Sequence, residues 1–244
     1  MEMEDILGAL IPSWSSVVIL FSYLGYLAIS GSLLPGKVIP GAVLSDGTRL
    51  HYRCNGLLSL IMLLVLLGIG VNMKMISPTV VADKGIELLS ATFIFSVIVS
   101  LALYAVGCKS RKQSSSLKAH VTGNFIHDCW FGVQLNPHFI GVDLKFFFVR
   151  AGMMGWWFIN LSVLAKSIQA GYVNISVILS QLFSALYILD YFFHEEFMTS
   201  TWDIIAERLG FMLVFGDLGW WLLKNKVILS KAAVITNCLV FLVG

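Results

Sequence analysis

Apolar residues in this chain fall into long unbroken runs rather than into stripes of period 3.6 or 2. A helix that is apolar on every side is buried or faces lipid, and about 20 such residues cross a bilayer. Six runs reach or approach that length, at 14–34, 57–73, 88–108, 152–170, 172–193 and 204–223. A seventh, at 229–244, is apolar almost to its last residue and somewhat short. The pattern predicts an all-α fold, a polytopic transmembrane helix bundle of about seven spans. No internal repeat and no domain-sized soluble segment interrupts it.

The polar positions then become informative. Pro35-Gly36 and Pro40-Gly41 punctuate the first connector, where Asp46-Gly47 predicts a tight turn. Ser77-Pro78 opens the second, with 80–87 expected along the interface. The third begins with the basic stretch SRKQSSSLK at 110–118, read as a solvated loop. It continues into 123–150, GNFIHDCWFGVQLNPHFIGVDLKFFFVR. There Asn124, His127, Asp128, Gln134, Asn136, His138, Asp143, Lys145 and Arg150 interleave with Trp130 and six phenylalanines. Such a mixture between spans marks something built at the bilayer surface. Ten of the 16 Lys and Arg flank the connectors after spans one, three and five. The positive-inside rule then sets 123–150 in the cytosol and the N-terminus in the lumen.

Composition sharpens the class. The 244 residues are 58% hydrophobic and 12% charged, with mean hydropathy +0.86, against about 45–50% and 25% in soluble domains. A scattered net charge of +2 argues against a nucleic-acid partner. Four cysteines without a CxxC pair read as small buried hydrophobes. The acidic start MEMEDILGAL lacks the positive region of a secretory signal, so the first run is read as a retained span.

Candidate chemistry gathers at the end of the fifth run. Asp190, His194, Glu195 and Glu196 close it, and Asp190 and His194, four apart, share a helix face. Asp217 lies inside an apolar run, where a charged carboxylate costs at least ~2.5 kcal/mol. The plain alternative for these groups is an interfacial cap and an inter-helix hydrogen bond. Asn160 and Gln169 read equally well as glue between helices, and Trp156 and Trp157 as packing or belt residues. The five histidines make no HxxxH, HxxHH or HExxH spacing, so no metal is expected. Neither GxGxxG nor GxxxxGK[ST] occurs, which argues against a soluble-type nucleotide fold.

The stretch GNFIHDCWFGVQLNP resembles the signature of the sterol reductases that include the Δ14 and Δ7 reductases and the lamin B receptor. LLPGKVIPGAVLSDGTRLHYRCNG, DLKFFFVRAGMMGWWFINLSVLAKS and LDYFFHEEFMTSTWDIIAERLGFMLVFGDL resemble that family's neighbouring blocks. The resemblance covers nearly the whole chain and is nearest to the plant Δ14-sterol reductase branch, the FACKEL type. It implies an endoplasmic-reticulum membrane enzyme that uses NADPH to reduce a sterol-nucleus double bond. For that branch a proton is added at C15 and hydride at C14. Expected partners are a sterol substrate, the bilayer and other sterol-biosynthesis enzymes.

On this reading Asp190, Tyr191, His194 and Glu195 are the candidate catalytic residues, and Asn160, Tyr187, Asp203 and Asp217 line or orient the sterol. Asp128 and Asn136 hold the signature loop in shape. Three departures stand out. His138 replaces the family's usual arginine, and Trp130 a smaller aromatic. The direct junction of Leu218 to Gly219 reads as an internal deletion, with the last span expected to pack on the wrong face or not at all. The family's C-terminal cofactor-binding part is expected to be missing from this single domain of residues 1–244, so no NADPH-binding residue carries over. A non-catalytic sterol-binding or regulatory membrane protein is the alternative.

Overall fold

The computed structural model describes residues 11–43, 47, 49–110, 120–173, 175–219 and 222. The first five apolar runs become helices: α1 (Trp14–Leu33), α2 (Gly56–Asn72), α4 (Gly85–Ser110), α6 (Leu144–Gln169) and α7 (Ile175–Phe193), with the short α3 (Val80–Asp83) before α4. Among the described residues α1, α4 and α6 are long and apolar enough to cross a membrane, and α2 and α7 are apolar but shorter. Their outward faces keep large side chains such as Phe21, Leu66 and Ile98 exposed, as lipid-facing surfaces do. The fold is a mostly helical membrane bundle, as the runs predict.

The structure corrects several details. The fourth helix starts at Leu144, eight residues before its apolar run, because the Asp143 carboxylate caps it by accepting from the Phe146 amide at 2.9 Å. Lys145 and Arg150 therefore ride on the first turns of a spanning helix. The sixth run does not form one helix. Its first residues make α9 (Trp202–Ile205), residues 206–210 are non-helical, and α10 (Phe211–Gly219) follows. The break has a packing cause: Gly132 (φ +84) and Gly210 pass backbone against backbone, and a Cβ on Gly210 would stand 2.3 Å from the Gly132 nitrogen. The Leu209 amide meanwhile donates to the Gln134 carbonyl at 3.0 Å. The stretch 80–87 forms α3 and the first turn of α4.

Two antiparallel hairpins join the helices: β1 (Lys37–Val43) with β2 (Arg49–Cys54), and β3 (His138–Phe139) with β4 (Val142–Asp143). Gly47 turns the first with φ +81. The third connector also forms the short α5 (Phe125–Phe131), and the fifth the turn α8 (Glu195–Met198). Cys54, Cys108 and Cys129 are free and half-buried rather than core residues. The seventh run, its expected misplaced packing, Asn174 and residues 111–119 lie outside the described residues.

The helices alternate in direction, so connectors one, three and five gather at one end of the bundle. Between the ends runs one core in which Leu24, Leu60, Ala151, Met154, Ile188 and Val214 are buried together. Helix α10 packs on α6 and α4. It comes so close to α6 that a Cβ on Gly152 would stand 2.6 Å from the Asp217 carbonyl oxygen.

Candidate functional site

At the end where the hairpins gather, Arg150 organises the junction. Its Nε donates to Glu195 Oε1 at 2.5 Å, its Nη1 to Asn55 Oδ1 at 3.0 Å, and its Nη2 to the Arg53 carbonyl. The guanidinium also lies 4.5 Å from the centre of the Phe146 ring, a cation–π contact. Every partner answers a helix end. Glu195 Oε2 accepts the first amide of α2, Gly56, at 2.9 Å. Asn55 donates to the Gly31 and Leu34 carbonyls at 3.0 and 2.9 Å, and Arg53 to Ser32 at 2.8 Å. Orphan groups at the end of α1 and the start of α2 are thus answered by one connected network. Gly56 is required here, since a Cβ would stand 2.3 Å from Glu195 Oε1.

A second buried cation sits one turn away. The Lys145 side chain is fully enclosed, and its Nζ donates to the carbonyls of Ile204 (2.8 Å) and Glu207 (2.7 Å), closing the C-terminal end of α9. The signature loop is held by Asp128, which is buried and accepts from the Thr122 hydroxyl (2.6 Å), the Thr122 amide and the Gly123 amide. Burial alone would raise the Asp128 carboxyl, but these hydrogen bonds outweigh it and hold the group below its ordinary value. Asn136 is also buried, with its Oδ1 unpartnered among the described residues.

Between the two hairpins and helices α1 and α6 opens a cleft of about 400 Å³. Leu27, Phe147 and Met154 contribute apolar wall, and His51, Arg53, Asp143 and Arg150 polar wall. Burial raises the Asp143 carboxyl above its usual range. It also raises the Tyr52 hydroxyl, with the nearby Asp143 adding to the effect.

The candidate residues divide into two sets. Tyr191 and Glu195 are buried, and Tyr191 belongs to the main core along with Leu218, the neighbour of Asp217. The Tyr191 hydroxyl lies within electrostatic reach of Glu195, Arg150 and Asp217. Tyr191 Oη, Asp217 Oδ2 and Asn160 Nδ2 are buried atoms without a hydrogen-bond partner among the described residues. The second set faces outward. Asp190 and His194 pair at 3.6 Å with side chains 76% and 52% exposed. Tyr187 is exposed beside Trp156, and Asp203 is exposed on α9. None of the eight lines the cleft. The sequence reading did not assign a site role to Arg150, Asn55 or Lys145. A basic residue at the flank of a span looks the same in sequence whether it meets water or a buried acid.

The comparisons with known proteins agree with one another. A model of the ergosterol biosynthesis ERG4/ERG24 family matches residues 2–223. The chain is 64% identical over 254 positions to a Delta(14)-sterol reductase of Arabidopsis thaliana, covering all of this chain and 69% of that protein. It is 33% identical to the Delta(14)-sterol reductase of Dictyostelium discoideum, over 86% of this chain and 45% of that one. It is 35% identical to that of Methylotuvimicrobium alcaliphilum, over 86% and 48%. The chain thus spans about two thirds of the plant relative and about half of the other two.

Proposed function

The chain belongs to the ergosterol biosynthesis ERG4/ERG24 family, and from that premise we propose that it serves NADPH-dependent reduction of the C14–C15 double bond of a sterol intermediate. The proposed setting is the endoplasmic-reticulum membrane, with sterol substrate drawn from the bilayer. Support comes from the relatives' names and from a multi-pass helical fold. One observation carries the local reading: Tyr191 Oη and Asp217 Oδ2, on two packed regions of one core, are both buried and unpartnered among the described residues. Buried polar atoms are almost always satisfied, and an intramembrane ionisable group is a functional candidate by default.

Reduction of the double bond adds a proton at one carbon and a hydride at the other. These residues bear on the proton. Tyr191 is the proposed donor toward C15, with Asp217 as its source or orienter and the Arg150–Glu195 pair fixing the end of α7 behind it. Asn160 is proposed to orient the sterol. Asp190, His194, Tyr187 and Asp203, facing outward, are assigned no contact with the reacting carbons. Neither Arg150 nor Lys145 is offered to a dinucleotide phosphate. Both buried cations, Arg150 and Lys145, are already spent on Glu195, Asn55 and backbone carbonyls. The second reading is a non-catalytic sterol-binding or regulatory membrane protein.

The test uses membranes carrying this 244-residue chain in a host without its own Δ14 reductase, supplied with a Δ8,14-sterol and NADPH. Loss of the conjugated diene above the empty-vector control, abolished by Tyr191→Phe and Asp217→Asn, supports the reductase reading. Saturable sterol binding with no diene loss supports the second. Turnover unaffected by either substitution would remove Tyr191 and Asp217 from the proton path.

A further inference from the structure

We propose that the cleft beside the β1–β2 hairpin binds an anionic phospholipid, its phosphate on the basic edge of β2 and its chains over the apolar wall. The inference does not rest on the reductase reading: Tyr191, Asp217, Asn160 and Glu195 do not line this cleft, and only Arg150, which props the end of α7, reaches its wall.

Strand alternation builds the basic edge. Successive side chains of a strand point to opposite faces. In β2 Tyr52 turns inward and is buried, while Arg49, His51 and Arg53 all turn outward and are exposed. Three basic residues share one face, each about 7 Å from the next. Their cross-strand neighbours are apolar: Val38 pairs with Arg53, Pro40 with His51 and Val43 with Arg49. Val38 and Val43 are exposed. A solvated hairpin face has no need of valines set against its arginines, whereas an amphiphile with a charged head uses both.

His51, Arg53 and Val38 also line the cleft, whose deeper wall is Leu27 of α1 with Phe147 and Met154 of α6. Its volume of about 400 Å³ lies in the range of small-molecule sites, roughly 300–1,000 Å³. Arg150 contributes wall but has three of its five donors engaged, by Glu195, Asn55 and Arg53. Arg53 differs. Among the described residues its guanidinium spends one donor on the Ser32 carbonyl, out of five. Asp143 is the acid in the wall, and burial disfavours its charged form, so it opposes an anion less than an exposed carboxylate would. The cleft lies where α1 ends and α6 begins, and basic pockets beside spanning helices are where acidic lipid headgroups bind. A sterol carries no anion to answer His51 and Arg53, the two basic β2 side chains in the cleft wall.

The experiment measures binding by native mass spectrometry to the full chain in neutral detergent. The probes are short-chain phosphatidylglycerol, phosphatidylcholine with the same chains, glycerol phosphate and NADPH. Phosphatidylglycerol is expected to bind saturably, and the double variant His51→Gln/Arg53→Gln to weaken it about tenfold or more. Val38→Glu, which sets an acid on the same edge without removing the Arg53–Ser32 bond, is expected to weaken it similarly. Lys166→Gln at the other end is expected to leave it unchanged. Equal binding of phosphatidylcholine, or no change in both cleft variants, overturns the proposal. So does an equal loss in Lys166→Gln, which would mean diffuse charge. Glycerol phosphate or NADPH binding as tightly as the lipid, and lost in the same variants, would replace the lipid with a soluble phosphate ligand.

Discussion

Two ion pairs of similar length hold the two ends of this bundle. Arg150 and Glu195 meet at 2.5 Å with side chains 11% and 3% exposed. Lys166 and Asp83 meet at 2.7 Å with side chains 48% and 49% exposed. The first pair is enclosed by the ends of α1 and α2 and by Phe146. The second lies open where α6 and α3 both end, with Asp83 also bonded to the Thr79 hydroxyl at 2.6 Å. Distance therefore says little about consequence. What separates the ends is whether a lost partner can be replaced by water.

The largest effect is expected from splitting the enclosed pair. Arg150→Met leaves Glu195 a buried carboxylate, and Glu195→Leu leaves a buried guanidinium together with an unsatisfied Gly56 amide. Each is expected to cost about 3–5 kcal/mol, read as a fall in folded yield and in detergent unfolding midpoint. The double variant Arg150→Met/Glu195→Leu is expected to recover much of that loss, since apolar replacement of a whole buried pair is often nearly neutral. No recovery would mean that the network acts by capping helix ends rather than by pairing charge. Next comes Lys145→Met, which strips the Ile204 and Glu207 carbonyls of their shared donor. A loss of about 1–3 kcal/mol per group left unsatisfied is expected, with proteolysis appearing first between α9 and α10.

A pH experiment sharpens the same contrast. The Asp128 carboxyl is held below its ordinary value by Thr122 and Gly123. Its contribution is therefore full above the unfolded value, about 3.9, and is lost as pH falls through the lower folded one. Acidification is expected to expose residues 120–131 to protease before the spans loosen, and Asp128→Asn to remove that acid step. An unchanged acid profile in Asp128→Asn would break the assignment.

How much of this was legible in the sequence follows the same division. Apolar runs are local signals, so five helices, the bundle class and the turn at Gly47 could be read directly. The break in the sixth run could not, because it depends on Gly210 meeting Gly132, far away in the chain. The early start of α6 was partly readable, since Asp143 is a good capping residue, but Lys145 and Arg150 behind it looked interfacial. Only the fold gives them Ile204, Glu207 and Glu195. Of the candidate site, Tyr191, Glu195, Asn160 and Asp217 have buried polar atoms, while Asp190, His194, Tyr187 and Asp203 lie outward. Helical spacing shows which residues share a face, but not whether that face meets the core.

The smallest expected effect comes from the open end. Lys166→Ala or Asp83→Ala removes a charge that water can replace, and exposed pairs are worth about 0–1 kcal/mol. Asp83 sits below the usual carboxylate range, chiefly through its hydrogen bond from Lys166 and then that from Thr79. Lys166→Ala should therefore let it rise while Thr79 still holds it. Salt should separate the two ends as well, because exposed charges are screened and enclosed ones much less so. The unfolding midpoint of Lys166→Ala should approach that of the unaltered chain as salt is raised, while the deficit of Arg150→Met should persist. Equal salt sensitivity at both ends would mean that Arg150 and Glu195 are reached by solvent, and the contrast between the two pairs would fail.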